Sequence, residues 1–83
     1  MKTIVPAQIR AARALLDWRQ VDLAKASGVS GVAIKNFERG VTQPHTKTLD
    51  AITTALEKAG VIFVEENREG PGVRLRKGKR AKW

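Results

Sequence analysis

The chain has 83 residues, with 16 Lys and Arg against 8 Asp and Glu, a single His and no Cys. A chain this short buries only roughly 60% of the surface its unfolded form exposes, so one small domain is expected, folding with a compact core or with a partner that completes one. The missing cysteines exclude disulfide staples, thiolate metal sites and thiol catalysis. No stretch approaches the ~20 apolar residues of a membrane span, and the start, Met1-Lys2-Thr3-Ile4-Val5-Pro6, lacks the apolar run of a signal peptide. The expectation is a cytoplasmic protein with no membrane partner.

The net charge of +8 is unevenly spread. Residues 1–9 carry +1, residues 10–60 carry +3, residues 61–72 carry −2 and residues 73–83 carry +6. The last segment, Val73 to Trp83, contains no acid and, after Lys77, too little apolar content to order itself by packing. Such a polycation gains affinity for nucleic acid through counterion release without reading sequence. A solvated tail that only aids solubility is the alternative.

Pro6 suits a first helical turn, and Ile9, Ala12, Leu15 and Leu16 recur at helical spacing, predicting a first helix over about 6–16. Asp17 falls where that helix should stop, a place where Asp can accept a left-handed backbone, and Trp18 follows as a core plug. A short second helix is expected from Gln20, with Val21, Leu23, Ala24 and, after a gap, Val29 alternating with Asp22 and Lys25, and Ser27-Gly28 closing it. Ser30 is a good N-cap for a third helix over 31–38, whose Ala33, Ile34 and Phe37 share one side before Gly40. Pro44-His45-Thr46 opens a fourth, in which Leu49, Ile52, Ala55, Leu56 and Ala59 form a stripe ended by Gly60.

The period then changes. Val61-Ile62-Phe63-Val64 is a β-branched and aromatic run, residues 66–72 are turn chemistry, and Val73-Arg74-Leu75-Arg76 alternates, which predicts a β-hairpin. Its first strand is apolar on both faces, so one face should meet the helices and the other needs a cover. A two-stranded ribbon is marginal alone. The expectation is a homodimer in which Val61, Ile62, Phe63 and Val64 form the interface around a two-fold axis. The competing expectation is that the fourth helix and Trp83 cover the strand within one chain.

The second and third helices carry a specific arrangement of small and apolar residues. With Gln20 as first residue of the unit, Ala24 is fifth, Gly28 ninth, Ile34 fifteenth and Phe37 eighteenth. Ala24 lets the helices cross closely, Gly28 permits the turn, and Val29, Ile34 and Phe37 fix the crossing. Such a unit holds its second helix proud of the surface, where outer residues can enter a major groove.

On these residues the sequence resembles the phage-repressor-like (Xre/Cro) helix-turn-helix family. The resemblance rests on 13–20 (Arg13 to Gln20), Asp22-Leu23-Ala24, Gly28-Val29-Ser30, 34–40 (Ile34 to Gly40), Pro44 and Thr48-Leu49, and covers roughly residues 7–60. It implies a mainly α architecture: a compact four-helix, lambda-repressor-like domain over 1–60, followed here by the hairpin over 61–77 and a basic flexible tail over 78–83. It further implies sequence-specific binding of double-stranded operator DNA by a small dimeric transcriptional regulator. A self-regulating repressor on an inverted-repeat operator is the expectation, since occupying a promoter needs no polymerase contact. The source would be prokaryotic or phage-encoded, with the protein nucleoid-associated when bound.

Carried over position by position, the resemblance turns Ser30, Gly31, Val32, Lys35 and Asn36 toward the major groove. Asn36 suits an adenine edge, Lys35 a guanine or phosphate, and Val32 a thymine methyl, while Gly31 reads nothing. Gln20 becomes a phosphate contact, and Arg19, Arg39, Thr42, Gln43 and Lys47 fall near flanking phosphates. Arg13 and Glu38 become a structural ion pair. Arg19 stands where the family usually has a Ser or Thr N-cap, and Asp17 replaces its usual Gly, so a loosely capped second helix is expected.

Other classes are less well supported. His45 has no Cys and no second His with which to hold a metal. Ser27, Ser30, His45 and Asp50 include triad ingredients, but no nucleophile elbow is present and no deep pocket is expected at this size, so no enzyme, no cofactor and no small-molecule ligand are expected. The rival is an antitoxin-like or adaptor protein whose hairpin and tail grip a protein partner, with DNA binding secondary. Charge-driven, sequence-independent binding is a third reading.

Overall fold

The computed structural model describes residues 4–65 and 68–78. The tail from 79 onward, Trp83 included, lies outside the described residues, so neither its expected role nor the covering of the hairpin by Trp83 is addressed by the structure. Four helices run in chain order, α1 (Pro6–Leu16), α2 (Gln20–Ser27), α3 (Gly31–Glu38) and α4 (Thr46–Lys58), followed by an antiparallel hairpin of β1 (Val61–Val64) and β2 (Gly72–Leu75). None of these helices is long and apolar enough to cross a membrane.

Local chemistry sets the helix ends. Pro6 starts α1 with its missing N–H at a position that needs none. Asp17 closes the helix in the left-handed region at φ 57°, where its N–H reaches the Ala14 carbonyl at 3.1 Å and that of Trp18 reaches Arg13 at 2.8 Å. Gly28 takes the same role after α2 at φ 74°. Ser30 caps α3, its Oγ accepting from the Ala33 N–H at 3.1 Å. The start of α2 lacks a side-chain cap, as the sequence predicts, because the Arg19 side chain has no acceptor for a first-turn N–H; the Asp22 carboxylate instead reaches back to accept from the Arg19 N–H at 2.8 Å, the half of a capping box that the third helical residue supplies.

The four apolar stripes converge on one core of Ile9, Ala12, Leu23, Ile34, Phe37, Ile52, Ala55, Leu56, Val61 and Phe63. Trp18 is half-buried against it. The hairpin belongs to this core. Val61 pairs with Leu75 and Phe63 with Val73, so those four side chains share the face turned to the helices, while Ile62 and Val64 lie on the other. Val61 and Phe63 were expected at a dimer interface. They pack inside their own chain, at 1% and 8% exposure, because strand alternation and the tight turn at Gly60 deliver them onto the core contributed by α1 and α4.

Two attachments hold the hairpin in place. The Arg76 N–H donates to the Gly60 carbonyl at 2.7 Å, closing one end. At the other, Gln8 on α1, buried at 3% exposure, donates from Nε2 to the carbonyls of Val64 (3.2 Å) and Gly72 (3.0 Å), while its Oε1 accepts from the Val5 N–H at 2.9 Å. One amide thereby caps a helix and ties it to the sheet, with both its donors and its acceptor satisfied.

Candidate nucleic-acid interface

α3 divides its residues cleanly. Ile34, Phe37 and Glu38 are buried, while Gly31, Val32 and Lys35 face solvent and Asn36 is half-exposed. Positions 32, 35, 36 and 39 recur at helical spacing and so form one outward row, with Ser30 at its head and its last member, Arg39, at the cap just past the end of α3. Val32 is 70% exposed, the most exposed large apolar side chain among the described residues. A Cβ placed on Gly31 would meet nothing within 4 Å, so the surface beside Val32 is open rather than filled by a neighbour. The Ser30 Oγ is engaged in capping, which leaves its hydroxyl proton to donate outward.

Thr42, Gln43 and Lys47 are exposed between α3 and the first turn of α4. Arg19 is exposed too, its guanidinium 3.4 Å from Asp22. The hydrogen bond from the Arg19 backbone N–H, followed by that from its side chain, holds the Asp22 carboxyl below its ordinary range. The Arg19–Asp22 contact is solvated and long, so it is a weak hold on a side chain otherwise available to an anion.

Gln20 is placed differently from the rest of the expected phosphate set. Its Nε2 donates to Glu38 Oε1 at 3.0 Å. Glu38, 2% exposed, also accepts from Arg13, side-on, at 2.6 Å to Oε2 from Nε and at 2.7 Å to Oε1 from Nη2. Arg13 Nη1 donates to the Trp18 carbonyl at 3.0 Å, and Arg10 Nη1 donates to the Glu38 carbonyl at the end of α3. This two-point Arg–carboxylate geometry is the strong form of such a pair. Through it, α1 grips the C-terminal end of α3 and the first turn of α2 at one buried carboxylate.

Sequence reasoning assembled the outward row but overlooked Gln8, Arg10 and the capping role of Asp22. Asp22 had a readable signal, an acid three residues after the cap position. Gln8 shows the same three-residue offset from Val5, yet its hold on the hairpin depends on residues 56 and 64 positions away. Among the described residues no cluster of His, Asp and Glu could hold a metal ion.

A short helix capped by Ser30, set across a preceding helix by a left-handed Gly28 and presenting a solvent-facing row, defines a helix-turn-helix domain. The family model described as Helix-turn-helix matches residues 9–60, well over half of the chain, and the chain belongs to that family, in its Cro/C1 type. Repressor protein C2 of Salmonella phage P22 is 46% identical over 50 residues, which are 60% of this chain and 23% of that protein. An uncharacterized HTH-type transcriptional regulator of Mycobacterium tuberculosis is 42% identical over 50 residues, 60% of this chain and 20% of its own length. The chain thus spans a quarter or less of these relatives. The solution structure of the DNA-binding domain of the P22 C2 repressor superposes with a TM-score of 0.59 at 43% identity, covering 69% of this chain and 76% of that one. The hairpin lies beyond the stretch that the family model matches.

Proposed function

We propose that the chain binds double-stranded DNA sequence-specifically as a small, repressor-like transcriptional regulator, with α3 seated in the major groove. The observation that carries this reading is the composition of the outward row on α3. Val32, Lys35 and Asn36 give one apolar contact, one cation and one bidentate amide, the three chemistries that distinguish base edges. Val32 gains nothing from its exposure in the free protein, whereas covering it on a thymine methyl recovers part of the roughly 1.5 kcal/mol that burying a Val is worth. Arg19, Gln20, Arg39, Thr42, Gln43 and Lys47 set the register by contacting phosphates on either side. Gly31 reads nothing, so DNA shape carries part of the discrimination.

Two copies on an inverted repeat would place their α3 helices about 34 Å apart, one turn of the duplex. Since Val61 and Phe63 belong to the core of a single chain, the hairpin's share of a two-fold contact narrows to its outer face, Ile62 and Val64. A monomeric mass by light scattering at micromolar concentration, with and without operator duplex, would remove the dimer. The partner-protein alternative is not favoured, because the matched family is one of DNA-binding regulators rather than adaptors or enzymes.

Gel shifts test the reading. The probes are the DNA upstream of the coding region and a scrambled duplex, at low and near-physiological salt, with wild type and Asn36→Ala. The expected result is an upstream-specific complex that survives the higher salt and is weakened by the substitution. Equal, salt-labile binding to both duplexes would refute sequence-specific regulation and leave charge alone as the basis of binding.

A further inference from the structure

We propose that Glu38 is a positioning residue that orients the Gln20 side-chain amide so that one N–H is held inside the protein and the other is presented to a DNA phosphate. The inference rests on the DNA-binding reading above and assigns a task to the buried carboxylate beyond its pairing with Arg13.

The argument begins with what a side-chain amide leaves undecided. A glutamine on a helix surface can rotate its amide by half a turn at little cost, exchanging a donor for an acceptor. Toward a phosphate, those two orientations are opposite in sign: nitrogen attracts and oxygen repels. In this fold the choice is already made. Glu38 Oε1 lies 3.0 Å from Gln20 Nε2, and an ionised carboxylate accepts only, so the turned-over amide would set oxygen against oxygen. The carboxylate is itself immobile, held at two points by Arg13 and 2% exposed. Gln20 is half-exposed at the first position of α2, so its second N–H is free to donate beyond the cluster. Holding that amide before DNA arrives removes ordering cost from the bound state.

The test uses the intact chain and the side-chain amide signals of Gln20 by 15N-resolved NMR. In free wild type, one of the two Hε2 protons should be shifted downfield and protected from exchange. When upstream duplex is added, the other proton should shift while the first stays in place. Glu38→Gln, whose amide donates as well as accepts, removes the bias between the two orientations and should shift the first signal toward its free-amide position and reduce its protection. In gel shifts, Gln20→Met should weaken binding about tenfold in wild type, the scale of one hydrogen bond to a charged group, and by less than about twofold in the Glu38→Gln background. Equal effects of Gln20→Met in the two backgrounds, or two Gln20 signals at ordinary free-amide positions with equal exchange in the free wild-type protein, would overturn the proposal. The wild-type spectra need no variant to fold. Protected Gln20 signals in a protein that binds no duplex would overturn the DNA-binding reading instead, and with it the phosphate role, leaving Glu38 and Gln20 as a helix lock.

Discussion

Replacing Gln8 measures how firmly the hairpin is fastened to the helical core. Gln8→Met keeps the length and the buried volume of the side chain while deleting three hydrogen bonds, those to Val5, Val64 and Gly72. At about 1 kcal/mol net for each, the loss comes to about 2–3 kcal/mol, because the half-buried Val5 N–H recovers part of its share from water. For a domain of this size, with a total stability of about 4–12 kcal/mol, that is a large fraction. Gln8→Glu is the sharper perturbation. It retains an acceptor for the Val5 N–H but turns a buried carboxylate toward two carbonyl oxygens, so it should cost more than Gln8→Met at neutral pH, and less in mild acid, where the carboxyl regains a proton to donate. Urea unfolding followed by circular dichroism gives the order directly. With a slope of about 1 kcal/mol/M, Gln8→Met should lower the midpoint by about 2 M. Hydrogen exchange should show the loss concentrated at the amides of Val64 and Gly72. If Gln8→Met stays within about 0.5 kcal/mol of wild type, or if Gln8→Glu is no worse than Gln8→Met, the clamp has no energetic role and the reasoning fails.

Glu38→Ala leaves the Arg13 guanidinium uncompensated at a largely buried site and should cost about 3–5 kcal/mol, seen as a large drop in melting temperature measured without DNA. Asp22 supplies an acid-dependent increment. Its carboxyl is held below the ordinary value, so its contribution is complete above about pH 4 and is lost as the pH falls through the lower, folded value. Asp22→Asn should therefore be less stable than wild type at neutral pH, and the gap should narrow in acid denaturation below about pH 4. Gly31→Ala places a methyl in open space at a helical position and should stabilise the fold by up to about 0.5–1 kcal/mol by thermal melting. Removing the Lys35 charge with Lys35→Met should flatten the salt dependence of DNA binding by about one unit of slope if that ammonium meets a phosphate; an unchanged slope would assign it to a base edge or to solvent.

What the sequence revealed followed the range of the forces involved. Asp17, Gly28, Ser30 and Gly60 act on their own few residues, and the ends of α1, α2 and α4 and the start of α3 could be read from them. The stripe in α4 likewise followed from spacing alone. The run from Val61 to Val64 could be read as a strand but not assigned to a partner, because an apolar residue looks the same whether its own helices or a second copy will cover it. Arg13 and Glu38 stand 25 positions apart, and only the resemblance brought them together in advance. Gln20 was read as an outward residue since nothing near it in the chain shows the carboxylate that α3 brings beside it. Gln8 was passed over for the same reason, its two strand carbonyls being supplied by the far end of the chain.

The position of α1 gives mutations an unexpected geography. Along its eleven residues, Gln8 holds the hairpin while Arg10 and Arg13 hold the end of α3. The attitude of the surface proposed to meet DNA is therefore referenced to an anchorage on a different part of the molecule. If the proposed function holds, genetic screens for lost repression should recover substitutions at Gly72, Phe63 or Gln8 beside those at Asn36, even though the first group lies outside the outward row of α3. A footprint of the surviving complexes would separate the two groups, since a tilted α3 shifts many contacts slightly where a missing side chain removes one.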